Sequence, residues 1–289
     1  MWQSASPSPV DRFYLLAPAL TLLAMFIAAF IVYAVLCVSG RAPKLDGVKH
    51  NQLFGPFLAG FVVWLIRPIE RVLIGRVSPN VVTLASVSLC AATGVCVAIG
   101  QIAIAVWLWA FAGILDVLDG RIARLTDNQT AAGSLLDSVS DRWGELFVFC
   151  GYAWFLQDSP WVVAVIAAFG GSMMVSYTRA RSEALGIAMR VGAMQRAERT
   201  VLVTGGTLFA AWYGAAPDAA SSVVPIVGGT LALCALTSSV TAVSRFVRAY
   251  RVLVQRRAPV LAPELPVAST TPPRIPSRVA PVQPARPAA

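Results

Sequence analysis

Charge is what this sequence has least of. Only 13% of its 289 residues are Asp, Glu, Lys or Arg, whereas 57% are hydrophobic. Soluble domains are about 25% charged. So little polar surface cannot cover a water-soluble fold of this size. An ordinary cytosolic enzyme, a coiled coil and a chain disordered throughout are excluded. Cysteine is also sparse. The five (Cys37, Cys90, Cys96, Cys150, Cys234) lie in apolar runs, without CxxC spacing or a neighbouring His. That excludes a disulfide scaffold and leaves small buried hydrophobes. The one histidine, His50, reads as a surface residue, so no Ser-His-Asp relay is expected. The net charge of +9 points to loop orientation and anionic lipid, and no nucleic-acid partner is expected.

Long apolar runs are abundant. A helix needs about 20 apolar residues to cross the bilayer core. Seven segments qualify, at roughly 13–38, 79–99, 101–124, 133–157, 160–181, 199–215 and 223–247. The first is too long for a signal-peptide core and only Arg12 precedes it, so a retained anchor is expected. Basic residues alternate between connections. They fill 41–78, 121–142, 179–199 and the stretch after the last span, while the connections near 100, 158 and 216–222 contain none. The positive-inside rule makes the basic connections cytoplasmic. Residues 51–75 are apolar but broken by Pro56, Arg67, Pro68, Glu70 and Arg71, which fits a helix lying at the interface. From about 258 the chain is rich in Pro, Ala and Val and reads as disordered.

Acidic residues number only 14, yet five fall in LDVLDGRIARLTDNQTAAGSLLDSVSD, four of them at helical spacing. Asp116 and Asp119 end one span; Asp137 and Asp141 begin the next. Spacings of three and four place side chains on one helix face. Asp116, Asp119, Gly120, Ala123 and Arg124 form one stripe, and Gly133, Asp137 and Asp141 another. Antiparallel helices joined by a short loop would bring these stripes together. A carboxylate at mid-bilayer costs a few kcal/mol, and four in one small space repel. Divalent cations remove both problems. Oxygen-only ligands suit Mg²⁺, Mn²⁺ or Ca²⁺, and Mg²⁺ commonly adds substrate phosphate oxygens. The small residues let a bulky ligand approach the backbone, and Arg124 offers a fork for phosphate.

The run Asp116-x2-Asp119-Gly120-x2-Ala123-Arg124-x8-Gly133-x3-Asp137-x3-Asp141 resembles the signature of the CDP-alcohol phosphotransferase family at every fixed position. The resemblance covers about residues 55–248. It implies an all-α integral membrane protein with a six-helix core, preceded by an interfacial amphipathic helix and usually homodimeric. Here the core would occupy 79–248, after an N-terminal segment (1–12), an additional N-terminal transmembrane helix (13–38) and a cytoplasmic linker with the interfacial helix (39–78). A Pro-rich cytoplasmic tail (249–289) would follow. The resemblance further implies two metal ions, Mg²⁺ or Mn²⁺, on Asp116, Asp119, Asp137 and Asp141, with Asp141 a ligand or the general base. Gly120, Ala123 and Arg124 would line the nucleotide site, and Gly133 would give the cytidine space. Ser78-Pro79-Asn80-x2-Thr83 resembles another family element, which adds Asn80 and Thr83 to the CDP-alcohol site; it also reads as a helix start capped by Ser78 or Asn80. The implied reaction transfers the phosphoalcohol of a CDP-linked alcohol, often CDP-diacylglycerol, to an acceptor hydroxyl and releases CMP, at the cytoplasmic face of a bacterial-type inner membrane.

A second polar constellation, SYTRARSEALGIAMRVGAMQRAERT, follows the 160–181 span. Several arginines beside a metal site make a pocket for an anionic acceptor. The pattern is similar to bacterial phosphatidylinositol phosphate synthases, in which an Arg pair holds the phosphate of inositol 1-phosphate. That resemblance implies Arg181 and Arg196 here, with Arg199 as a helper. Departures at Arg179, Ser182, Gln195 and Ala197 leave glycerol 3-phosphate as the nearest competitor. Rival readings are a cation transporter, disfavoured because the acids cluster at one membrane face without an internal repeat, and a lipid-binding scaffold without catalysis, disfavoured by the presence of all four aspartates.

Overall fold

A computed structural model describes residues 9–41, 55–189, 192, 194–216 and 219–256. His50 and the tail from 258 lie outside these residues. All regular structure in the described residues is helical. The elements are α1 (Pro9–Val38), α2 (Gly55–Leu73), α3 (Pro79–Ala98), α4 (Ile102–Leu125), α5 (Ala131–Phe155), α6 (Val162–Ala184), α7 (Arg196–Gly214) and α8 (Val223–Gln255), with one 3₁₀ turn at Ala220–Ser222 before α8.

Local chemistry sets the helix ends. Pro79 occupies the first turn of α3, where a missing N–H costs nothing, and Ser78 precedes it in an extended conformation. Thr130 caps α5 by accepting the Gly133 N–H at 2.9 Å. Gly100 (φ +79°) and Gly186 (φ +71°) turn the chain through left-handed backbone just after α3 and α6. α2 is one continuous amphipathic helix that runs through Pro68. Residues on both sides of the proline, Ile66 and Glu70, are buried.

Among the described residues, five helical stretches are long and apolar enough to cross a membrane: Leu20–Val38 in α1, α3, α4, α6, and Ala220–Gln255, which contains α8. α5 and α7 do not meet that measure, although both were expected to span. Each gives up apolar positions to charge at its N-terminal end: Asp137, Asp141, Arg142 and Glu145 on α5; Arg196, Glu198 and Arg199 on α7. Both are packed among the apolar helices. This is the architecture of an integral membrane protein. α8 also outruns its expected end at 247, continuing through a basic segment to Gln255.

α3 to α8 form a ring. α3 packs on α4 and α5, α5 on α6, α6 on α8, α8 on α7, and α7 closes back on α4. One apolar core runs through all six, including Cys90, Trp109, Tyr152, Val165, Val203 and Leu231. Close approach depends on glycine at the α3–α5 crossing. A Cβ on Gly94 would strike the Phe147 carbonyl, and one on Gly151 would strike the backbone of Gly94. The paired glycines 170–171, 205–206 and 228–229 behave alike. One of each pair packs on this chain (Gly171 on Ser238, Gly206 on Thr230, Gly228 on Trp161), while its neighbour meets nothing nearby.

Candidate active site

The acidic stripes lie at the C-terminal end of α4 and the N-terminal end of α5. α4 and α5 are not principal packing partners; α3 stands between them. Its first turns knit the site together. Thr83 donates its hydroxyl to Asp119 Oδ2 at 2.6 Å, and Ser86 donates to the Ala112 carbonyl at 2.9 Å. Asp119 Oδ1 accepts the Gly120 N–H at 2.5 Å, so both oxygens of this buried carboxylate are oriented. Carboxylate oxygens of Asp116, Asp119 and Asp137 lie within 4.8 Å of one another. Three hard oxygen donors at that separation fit a divalent cation such as Mg²⁺ or Mn²⁺.

Asp141, one turn beyond Asp137, is not in that trio. Its carboxylate is joined to Asp116 through a cation of the chain itself. Arg196 Nη1, from the first residue of α7, lies 2.5 Å from both Asp116 Oδ1 and Asp141 Oδ1. Gly144 on α5 faces this guanidinium, with Arg196 Nη2 4.0 Å from where a Cβ would stand. Arg142 Nη1 approaches the other oxygen of Asp141 at 3.5 Å. Four aspartates and one arginine from three helices thus share one half-exposed cluster.

The remaining expected residues fall around it. Arg124 lies over Gly120, its Nη1 3.3 Å from the position a Cβ would take there, and Ala123 lies on the same last turns of α4. Gly133 faces Asn80 of α3, whose Oδ1 is 3.5 Å from the corresponding Cβ position. Asn80, Thr83, Gly120 and Gly133 are therefore brought to the aspartates. The arginines expected to hold an acceptor are divided. Arg196 is in the cluster. Arg181 is exposed at the end of α6, and Arg179 beside it pairs with Glu183 at 2.9 Å. Arg199 is turned away from the aspartates. It is 3% exposed, its Nη2 is 2.6 Å from Glu145 Oε1, and its Nη1 donates to the Met194 carbonyl.

Two buried ion pairs were not singled out in the sequence. Glu145, 5% exposed, accepts from Arg199 and from the Ser172 hydroxyl, joining α5, α6 and α7 behind Asp141. Its signal was present, since Glu145 extends the Asp137 and Asp141 stripe by one more turn. Glu70 of α2 accepts from Arg121 Nε at 2.5 Å and from Nη2 at 3.3 Å, clamping the amphipathic helix onto α4 next to Gly120. Glu70 read as an interruption and Arg121 as one loop cation among several. Only the fold shows them as one pair.

Residues 76–240 match the family described as CDP-alcohol phosphatidyltransferase. A phosphatidylinositol phosphate synthase of Mycobacteroides abscessus is 35% identical over 114 residues, which cover 38% of this chain and 50% of that protein. The chain thus spans about half the length of the first curated relatives that it matches. A phosphatidylinositol phosphate synthase of Cutibacterium acnes matches over 204 residues at 31% identity, covering 68% of this chain and 96% of that protein. The solved structure of the Mycobacterium tuberculosis phosphatidylinositol phosphate synthase with CDP-DAG bound superposes with a TM-score of 0.56 at 28% identity, covering 65% of this chain and 94% of that one. That enzyme has also been solved in complex with manganese and citrate. A shared motif, a shared helical fold and near full-length coverage of one relative place this chain in the CDP-alcohol phosphatidyltransferase family.

Proposed function

We propose that the protein transfers the phosphatidyl group of CDP-diacylglycerol to a hydroxyl of a phosphorylated polyol, inositol 1-phosphate, and releases CMP. One observation carries this reading: Asp116, Asp119 and Asp137 converge from two helices, and Arg196 links them to Asp141. The named activities of the relatives and the CDP-DAG and manganese in the solved neighbour support it.

Asp116, Asp119 and Asp137 would hold Mg²⁺ or Mn²⁺, with Asp141 completing a two-ion set; such ions neutralise pyrophosphate and the charge growing on departing CMP. Thr83 orients Asp119 for this role. Arg124, lying over Gly120, is placed to fork a phosphate, and Gly133 with Asn80 leaves room for the cytidine. An acceptor hydroxyl attacks the lipid-bearing phosphorus in line. The bond from that phosphorus to the CMP oxygen breaks, and the hydroxyl proton passes to Asp141. Arg196 has two anionic partners available in this reaction. A phosphate on the acceptor competes with Asp141 for its guanidinium, and Asp141 is then free to take the proton. Arg181, in no ion pair among the described residues, is the second candidate for the acceptor phosphate. Arg199 supports the site from behind, through Glu145. The basic connections favour a site on the cytoplasmic side of the inner membrane, and the family resemblance implies a homodimer.

The test is CMP release by the purified protein with CDP-diacylglycerol and Mg²⁺ or Mn²⁺, across inositol 1-phosphate, inositol, glycerol 3-phosphate and serine. Release with inositol 1-phosphate alone supports the full reading. Release with glycerol 3-phosphate instead keeps the aspartate chemistry and discards the acceptor. No release with any acceptor discards the reaction.

A further inference from the structure

α2 presents three faces, and two are occupied. Phe57, Phe61 and Trp64 meet Phe26, Phe30 and Tyr33 of α1 in a cluster of aromatic contacts with centroids 5.2–5.7 Å apart across the two helices. Ile66 and Leu73 pack on Val82, Leu118 and Ile122 of the core, and Glu70 binds Arg121 beside them. The third face carries Arg67 and Arg71. Four residues apart, they stand one turn above each other on one side of the helix, with Cβ atoms about 5–6 Å apart. Neither is in an ion pair or a hydrogen bond among the described residues.

These arginines edge a crevice of about 440 Å³ between α1 and α2, whose other lining residues are Ala29, Trp64, Leu65 and Pro68. Its wall is apolar and its rim is doubly cationic. α1 crosses the membrane and α2 has the composition of an interfacial helix, so the rim belongs at headgroup depth. A soluble anion would leave the apolar wall unused, and a neutral lipid would leave two cations unpaired. We infer that this crevice binds an anionic phospholipid, with Arg67 and Arg71 holding its phosphate and Ala29, Trp64, Leu65 and Pro68 flanking its hydrocarbon. None of the crevice's lining residues belongs to the aspartate cluster, and the crevice site stands whether or not the acceptor reading holds.

The full chain in detergent is titrated with phosphatidylglycerol or phosphatidylcholine, and bound lipid is counted by native mass spectrometry. The wild type should retain phosphatidylglycerol in preference. Arg67→Gln with Arg71→Gln should erase the preference, by a factor of about 5 for each arginine removed. Arg41→Gln with Arg76→Gln removes equal charge from exposed positions that do not line the crevice and should leave the preference intact. A third variant, Ala29→Trp, fills the crevice without touching charge and should also release the lipid. Preference that survives both the crevice-filling and the Arg67/Arg71 variants overturns the site. Equal loss in both arginine pairs overturns it as well, since net charge alone would then explain binding.

Discussion

The charged residues fall into two regions that treat charge in opposite ways. At the ends of α4 and α5, four carboxylates gather around one guanidinium, which pairs with Asp116 and Asp141, and all but Asp119 remain partly exposed. One turn beyond Asp141, Glu145 and Arg199 form a sealed pair, and Glu70 and Arg121 form another between α2 and α4. The sealed pairs are close to neutral, so helices can pack around them; their value is that neither partner is left alone. The open cluster has excess negative charge that packing does not neutralise. Such a cluster has a use only if something cationic or something reacting comes to it. The difference separates residues that hold the ring together from residues that act.

The sharpest way to break that distinction is Asp137→Asn. CMP release should fall on the order of 10³-fold, while the protein still inserts and its thermal unfolding stays near wild type. A large drop in the unfolding temperature would make Asp137 structural. Glu145→Ala should do the reverse. It leaves Arg199 buried without its partner, which costs about 3–5 kcal/mol, read as a lower midpoint in detergent unfolding. Replacing both members with apolar residues, Glu145→Leu with Arg199→Met, should recover most of that loss. If the single variant unfolds like wild type, the pair is not what holds α5 to α7.

Arg196 sits on the boundary between the two regions, so it sharpens the comparison. Arg196→Ala should raise the KM for the acceptor by about 10–100-fold, the worth of a hydrogen bond to a charged group. The KM for CDP-diacylglycerol should move far less. Equal shifts would remove Arg196 from the acceptor side of the reaction. The smallest expected effect is at Thr83. Thr83→Val keeps the shape and removes the bond to Asp119, worth about 1.5–3 kcal/mol with a charged acceptor. That loss should appear as weaker activation by Mn²⁺, measured as the metal concentration for half-maximal CMP release. An unchanged metal dependence would show that Asp119 needs no orienting partner.

Much of the site was legible in one dimension because helices translate spacing into direction. Asp116 and Asp119, or Asp137 and Asp141, must share a face on any helix that contains them. Thr83 was legible only as part of an element near a helix start, and its bond to Asp119 spans 36 residues of sequence. Arg196 was singled out only through the family resemblance, as a ligand of the acceptor; its pairing with Asp116 and Asp141 was not legible, because those partners lie on helices that no local pattern connects. Glu70 illustrates the opposite error. Beside Pro68, Arg67 and Arg71 it read as a break in an apolar segment, yet it is the residue that fastens that segment to the core.

Composition and periodicity alone determined that the chain is a helical membrane protein and that its acids gather at one end of two adjacent helices. Both follow from short-range physics: apolar runs long enough to cross a bilayer, and a 3.6-residue repeat that fixes which side chains share a face. Tertiary structure decided the rest. It set α3 between the two acidic helices, chose Arg196 rather than Arg199 to meet Asp116 and Asp141, and hid Arg199 against Glu145. Arg196 and Arg199 lie three residues apart on α7. Which of them faces the site depends on how α7 closes the ring between α4 and α8, and partners 50 or more residues away in sequence set that position.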